Sequence, residues 1–213
     1  LNIQQVSGLL NRAAWCLAGP MPALRLGIDL DGVVADFTKG WMAFYNREFG
    51  TDLKVEDSVT WNGLVELTHF RSMGEFWHWA SDLDGKSLFW HLETFPGAVD
   101  ALHALAAEGH HIAILTTKPE YAVHDTFDWL ARNQLPTTEV HILQDKWKVD
   151  CDVYLDDSPV VLPRLVTHRG DRTICRFVRP WNKPVEGAID VTGFPEFREV
   201  VSRLAGTPSM ELS

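Results

Sequence analysis

The chain is short of positive charge. Lys and Arg number 19 against 29 Asp and Glu over 213 residues, a formal charge of −10. Such a balance argues against a broad basic face wrapped around a nucleic-acid polymer, although a local pocket can still hold a small anion beside a metal ion. Cysteine is scarce. Cys16, Cys151 and Cys175 are odd in number and widely spaced, which argues against a disulfide framework and points to a reducing, cytoplasmic location. No apolar run approaches the roughly 20 residues that a membrane span needs, so no membrane partner is expected. Internal repeats and low-complexity segments are also absent. What remains is globular composition, 46% hydrophobic and 23% charged. That fits one domain, or one domain carrying an insertion.

Gln4 to Leu17 reads as an amphipathic leader helix, with Val6, Leu9, Leu10, Ala13 and Leu17 at helical spacing. Residues 1–20 are therefore expected to form a helical N-terminal extension, and a signal peptide is the weaker reading. The run Leu24 to Ile28 reads as a buried strand that opens into Asp29-Leu-Asp-Gly-Val33. Phe37, Trp41, Phe44, Tyr45 and Phe49 then take up helical spacing. Residues 50–92 are rich in aromatics and read as short helices. Pro96-Gly97 marks a boundary. Beyond it, a helix over 98–108 alternates with strands at Ile112 to Leu115, Val140 to Leu143, Val153 to Leu155 and Thr173 to Phe177. Further helices are expected from Tyr121 to Asn133 and from Pro195 to Leu204.

This alternation predicts an α/β fold, a Rossmann-like parallel sheet flanked by helices. Residues 21–37 and 96–205 would form the core. Residues 38–95 would form a small helical cap inserted after the first strand, and 206–213 a tail. In such sheets ligands bind beyond the carboxyl ends of the strands, where three polar motifs of this chain fall.

Asp29 and Asp31 stand two apart at the first strand end, so their side chains share a side. Two carboxylates in one place repel unless a cation sits with them, and hard divalent ions favour oxygen ligands. Taken alone, the pair reads equally as an Asx turn at the strand exit. Thr116 and Thr117 close the second strand with hydroxyls suited to phosphate oxygens. Lys146 or Lys148, ahead of the fourth strand, could neutralise phosphate charge. Asp156 and Asp157 end that strand, and a buried strand does not run into paired acids without a partner.

The order Asp29-Leu-Asp31-Gly-Val, Ile-Leu-Thr116-Thr, Lys146 and Leu-Asp156-Asp157 resembles the four motifs of the haloacid dehalogenase superfamily. Within it, Asp29-Leu-Asp-Gly-Val-Val-Ala-Asp36 is similar to the 5′(3′)-deoxyribonucleotidases and related 5′-nucleotidases. The resemblance implies a Mg²⁺-dependent phosphomonoesterase acting on a nucleoside monophosphate. It makes Asp29 the nucleophile and Asp31 the general acid and base. Thr116, Thr117 and Lys146 would hold the phosphate. Asp29, Asp156 and the backbone carbonyl of Asp31 would bind Mg²⁺, with Asp157 behind them or as an additional contact. Lys146 is preferred to Lys148 because its ten-residue spacing to Asp156 fits the nucleotidase pattern.

The insertion carries Trp41, Trp61, Trp77, Trp79 and Trp90. Most of these rings are expected to form its own core. Phe44 and Trp77 are the candidates for stacking on a nucleobase. The alternatives are a phosphatase of another small metabolite and a non-catalytic nucleotide-binding module. Oligomeric state is left open, a homodimer included.

Overall fold

The computed structural model describes residues 22–206. The leader helix expected over 4–17 and the tail beyond 206 lie outside the described residues. Six strands, β1 Arg25–Ile28, β2 His111–Thr116, β3 Glu139–Ile142, β4 Val153–Asp156, β5 Thr173–Phe177 and β6 Ile189–Val191, form one sheet in the order β3-β2-β1-β4-β5-β6. Every pairing is parallel. Register places Ile28 between Ile114 and Leu155, so the ends of β1, β2 and β4 come out side by side.

The helices are α1 Phe37–Phe49, α2 Gly63–Leu67, α3 Met73–Trp79, α4 Leu88–His91, α5 Ala98–Ala107, α6 Val123–Arg132, α7 Val161–His168 and α8 Phe194–Gly206. Strand alternation sends Leu26, Ile28, Ile112, Ile114, Val153 and Leu155 to one face. There they pack with Leu102, Leu105, Trp129, Phe197 and Val201. Ala113, Leu115, Tyr154 and Ile174 go to the other face, onto Leu162 and Leu165 of α7. Two faces covered by helices explain why the strands read as continuous apolar runs.

Two elements have no counterpart among those expected. Helix α7 carries Pro163 in its first turn, where a missing N–H costs little. Strand β6 has three residues, two of them exposed, and holds too little pattern to predict. Among the expected elements, the segment from Tyr121 opens with a 3₁₀ turn, Glu120–Ala122, before α6.

Between β1 and α5 the chain builds α1 to α4. The two ends of this segment meet in one antiparallel bridge, Ala35 to Thr94. Asp36 N donates to Glu93 O at 2.9 Å and Phe95 N donates to Val34 O at 2.8 Å. Asp36 caps α1 by accepting from Lys39 N at 3.1 Å. The interior is aromatic: buried Trp41 meets Tyr45 and Phe76 edge-on, and Phe70, Phe76 and Trp79 pack together. Trp61 is exposed.

Candidate active site

Beyond β1 the chain winds tightly. Leu30 O accepts the N–H groups of Val33, Val34 and Ala35 at 3.2, 2.8 and 2.8 Å. Gly32 makes this possible with φ +78°, and a Cβ there would lie 2.2 Å from Asp157 Oδ2. Asp29 N continues the ladder to Leu155 O at 3.0 Å, which anchors Asp29 beside the end of β4.

Asp29, Asp156 and Asp157 are all buried, and one carboxylate oxygen from each lies within 4.8 Å of the others. Lys146 is buried with them, its Nζ 2.8 Å from Asp29 Oδ1 and 2.7 Å from Asp156 Oδ2. The 3₁₀ turn Lys146–Lys148 sends side chains two apart in different directions. Lys148 is accordingly exposed and paired with Asp145 at 2.8 Å. Asp156 Oδ1 accepts from Ser158 N at 2.8 Å. Asp157 Oδ2 accepts the Trp181 indole N–H at 2.8 Å. Asp31 lies outside the three-acid group. Its Oδ2 accepts from Lys118, whose side chain is 2% exposed.

Four acids therefore share this place with two lysines, and the ionisation of the groups reflects it. Burial, reinforced by Asp29, raises Asp156 to about 6 in spite of Lys146. Burial together with Asp29 and Asp156 holds Asp157 well above the usual carboxylate range. Burial also raises Asp31 against the pull of Lys118, and lowers Lys118 against the pull of Asp31. Burial works against the Lys146 ammonium as well, yet Asp156 and Asp29 hold it above the ordinary lysine value. Closely spaced, partly uncompensated carboxylates of this kind suit a hard divalent cation.

Three buried atoms at the site have no hydrogen-bond partner among the described residues: Thr116 Oγ1, Asp31 Oδ1 and Arg179 Nη2. Buried polar atoms are nearly always paired, so an unpartnered hydroxyl and carboxylate oxygen beside the acids are suited to receive a ligand's polar atoms. Thr117 differs, for it is exposed and its hydroxyl donates to Leu143 O at 2.9 Å.

The model of the family described as 5′ nucleotidase, deoxy (Pyrimidine), cytosolic type C protein matches residues 23–205. The chain belongs to this family. It is a phosphoric monoester hydrolase with the fold of the haloacid dehalogenase superfamily. It is 29% identical over 175 residues to the "Putative 5′(3′)-deoxyribonucleotidase" of Chlorobaculum tepidum, covering 77% of this chain and 83% of that protein. To the mitochondrial 5′(3′)-deoxyribonucleotidase of Homo sapiens it is 27% identical over 145 residues, 64% of this chain and 63% of that one. In fold it resembles a phosphate- and sodium-bound haloacid dehalogenase family hydrolase of Deinococcus radiodurans, at TM-score 0.57 and 17% identity, covering 87% of this chain and 97% of that one. A haloacid dehalogenase-like hydrolase of Streptococcus pneumoniae superposes at TM-score 0.60 and 12% identity, covering 84% and 98%.

Some residues of this family member's site escape a reading of the sequence. Lys118 had a signal: it stands two beyond Thr116, on the same side of an extended chain. Trp181 and Asn182 had none. Asn182 donates to Asp157 O at 2.7 Å and to Phe177 O at 2.8 Å, and Arg179 Nε donates to Gly32 O at 2.7 Å. The loop after β5 thus holds both acidic strand ends from behind. Of the two stacking candidates, Trp77 lies parallel to Phe89 at 5.9 Å, and Phe89 in turn lies 4.1 Å from Lys118 Nζ. The Phe44 ring meets His91 at 4.7 Å and the Arg47 guanidinium at 4.6 Å.

No helix among the described residues is long and apolar enough to cross a membrane.

Proposed function

We propose that the chain is a Mg²⁺-dependent phosphomonoesterase that hydrolyses nucleoside monophosphates, deoxyribonucleotides among them, through an aspartyl-phosphate on Asp29. The observation that carries this reading is the buried group of Asp29, Asp156 and Asp157 with Lys146 bridging the first two. Asp29 attacks phosphorus. Its Oδ1 is already taken by Lys146 and by Leu30 N at 2.7 Å, so the other oxygen is the one free to bond. Asp31, held above the usual carboxylate range, gives a proton to the leaving oxygen and takes one back from the water that hydrolyses the intermediate. The unpartnered Thr116 hydroxyl and the Lys146 ammonium receive phosphoryl oxygens. For Thr117, exposed and bonded to Leu143, a phosphate contact is left to the backbone N–H. Asp29, Asp156 and Asp157, with the backbone carbonyl of Asp31, are the donors that would hold Mg²⁺, which when bound offsets the repulsion between carboxylate and phosphate.

The helical segment between Asp36 and Glu93 acts as a cap over the strand ends, with Trp77 as the ring that meets a base. A panel of nucleoside monophosphates and sugar phosphates, assayed for phosphate release with Mg²⁺ and with EDTA, tests the reading. Nucleotide turnover that EDTA abolishes and Asp29→Asn reduces by about three orders of magnitude or more is expected. Turnover of sugar phosphates alone rejects the substrate, and full activity of Asp29→Asn rejects the nucleophile.

A further inference from the structure

Lys118 is a buried cation to which the reaction just described gives no part. Its ammonium reaches Asp31 Oδ2, and its side chain is 2% exposed, lying over the Phe89 ring of α4 at 4.1 Å. The hollow around it, lined by Leu30, Phe89, Leu92, Thr126 and Trp129 among others, amounts to about 10 Å³. The ammonium is thus packed among apolar walls, with space for about one water beside it. Lys118 also comes from the strand end that carries Thr116, so core and inserted segment both contribute to fixing Asp31.

Resting on the phosphatase reading, we infer that Lys118 is a positioning residue that holds the Asp31 carboxyl group for proton transfer to the leaving group. An ammonium donating to Oδ2 leaves that oxygen an acceptor, so the catalytic proton belongs on Oδ1, the oxygen without a protein partner. In the first step Asp29 forms a bond to phosphorus and the phosphorus–ester oxygen bond breaks. The bonding pair goes to the ester oxygen, which takes the proton from Asp31 Oδ1 and leaves as the alcohol. In the second step water attacks phosphorus, its proton returns to Asp31 Oδ1, and the Asp29–phosphorus bond breaks to release phosphate. Without Lys118 the proton can sit on either oxygen and the carboxyl group can turn. An ester whose leaving group must be protonated then suffers more than one whose leaving group is stable as an anion.

The test compares Lys118→Met with wild type, both with Mg²⁺, on a deoxyribonucleoside 5′-monophosphate, on glycerol phosphate and on p-nitrophenyl phosphate. The quantity read is kcat/KM, which covers binding through departure of the alcohol. Properly placed general acids contribute roughly 10²- to 10⁴-fold. A loss of about 100-fold on the alkyl esters is therefore expected, with a loss at least ten times smaller on the nitrophenyl ester. Lys118→Arg should recover much of the alkyl-ester activity. Melting curves of both variants separate this from misfolding. Equal losses on all esters, or no loss on any, overturn the assignment of Lys118 while leaving the phosphatase reading intact. A wild-type protein that hydrolyses none of these esters overturns both.

Discussion

The two ends of the parallel sheet both gather charge, but they balance it differently. At the amino end, Glu139 accepts from Arg25, from His111 at 2.7 Å and from His141 at 2.5 Å. Next to it, Arg172 and Arg169 meet Asp150, and Arg172 also meets Asp152. Hydrogen bonds from His141, then Arg25 and His111, outweigh burial and lower Glu139 to about 2. At the carboxyl end four acids face two lysines, and Asp31, Asp156 and Asp157 are all pushed upward. At the amino end every acid of the cluster meets an arginine. At the carboxyl end the acids outnumber the lysines and could hold a divalent cation. A buried, uncompensated cluster costs stability, so its persistence in a fold marks a site of function more surely than charge alone does.

That contrast can be broken by experiment. The largest effect is expected from Asp157→Asn. Asp157 meets a neutral indole donor and no lysine, and an amide oxygen can still accept from Trp181. Measured by denaturation without divalent cations, the variant should be more stable than wild type by about 1–2 kcal/mol, because a repelled buried charge is gone. Its melting temperature should no longer rise with Mg²⁺. A destabilised variant that still responds to Mg²⁺ would place Asp157 with the balanced cluster.

Glu139→Gln should behave in the opposite way, losing about 1 kcal/mol at neutral pH once solvent screening is allowed for, with turnover unchanged. The sign with pH follows from the lowered value. Folded Glu139 is lowered to about 2 from an ordinary value of 4.5, so its stabilisation is complete above about 4.5 and disappears as pH falls through about 2. Urea denaturation between pH 2 and 7 should show a shallower acid limb for the variant. An unchanged limb would mean that the cluster at the amino end contributes nothing.

Trp181→Phe is the mildest change. It removes the indole N–H whose hydrogen bond favours the ionised form of Asp157, at about 0.5–1 kcal/mol. Calorimetric titration should find Mg²⁺ binding weakened by a few-fold. Unaltered affinity would show that the loop after β5 supports the fold only.

Much of the fold was legible because it rests on local pattern. The first five strands appear within a residue or so of their expected places, for buried parallel strands announce themselves as short apolar runs. Helix α7 and β6 were not among the expected elements, and β6 is short and mostly exposed. At the site, the acids and Lys146 could be named from motif and spacing. The choice between Lys146 and Lys148 becomes visible only when the 3₁₀ turn aims one inward and the other at solvent. The hydroxyls of Thr116 and Thr117 look interchangeable in the chain, yet one is buried without a partner and the other is spent on Leu143. Trp181 and Asn182, on a turn beyond β5, carry no periodic signal at all.

The order of strands, helices and acidic strand ends was written in the chain itself, because burial of alternating or continuous apolar residues is a local requirement. Which charges meet was decided by tertiary structure alone. Parallel pairing of β1 with β2 and β4 brings Asp29, Lys118 and Asp156 to one edge from distant parts of the chain, and Coulomb interaction depends on that distance in space and on the exclusion of water, neither of which a one-dimensional pattern contains.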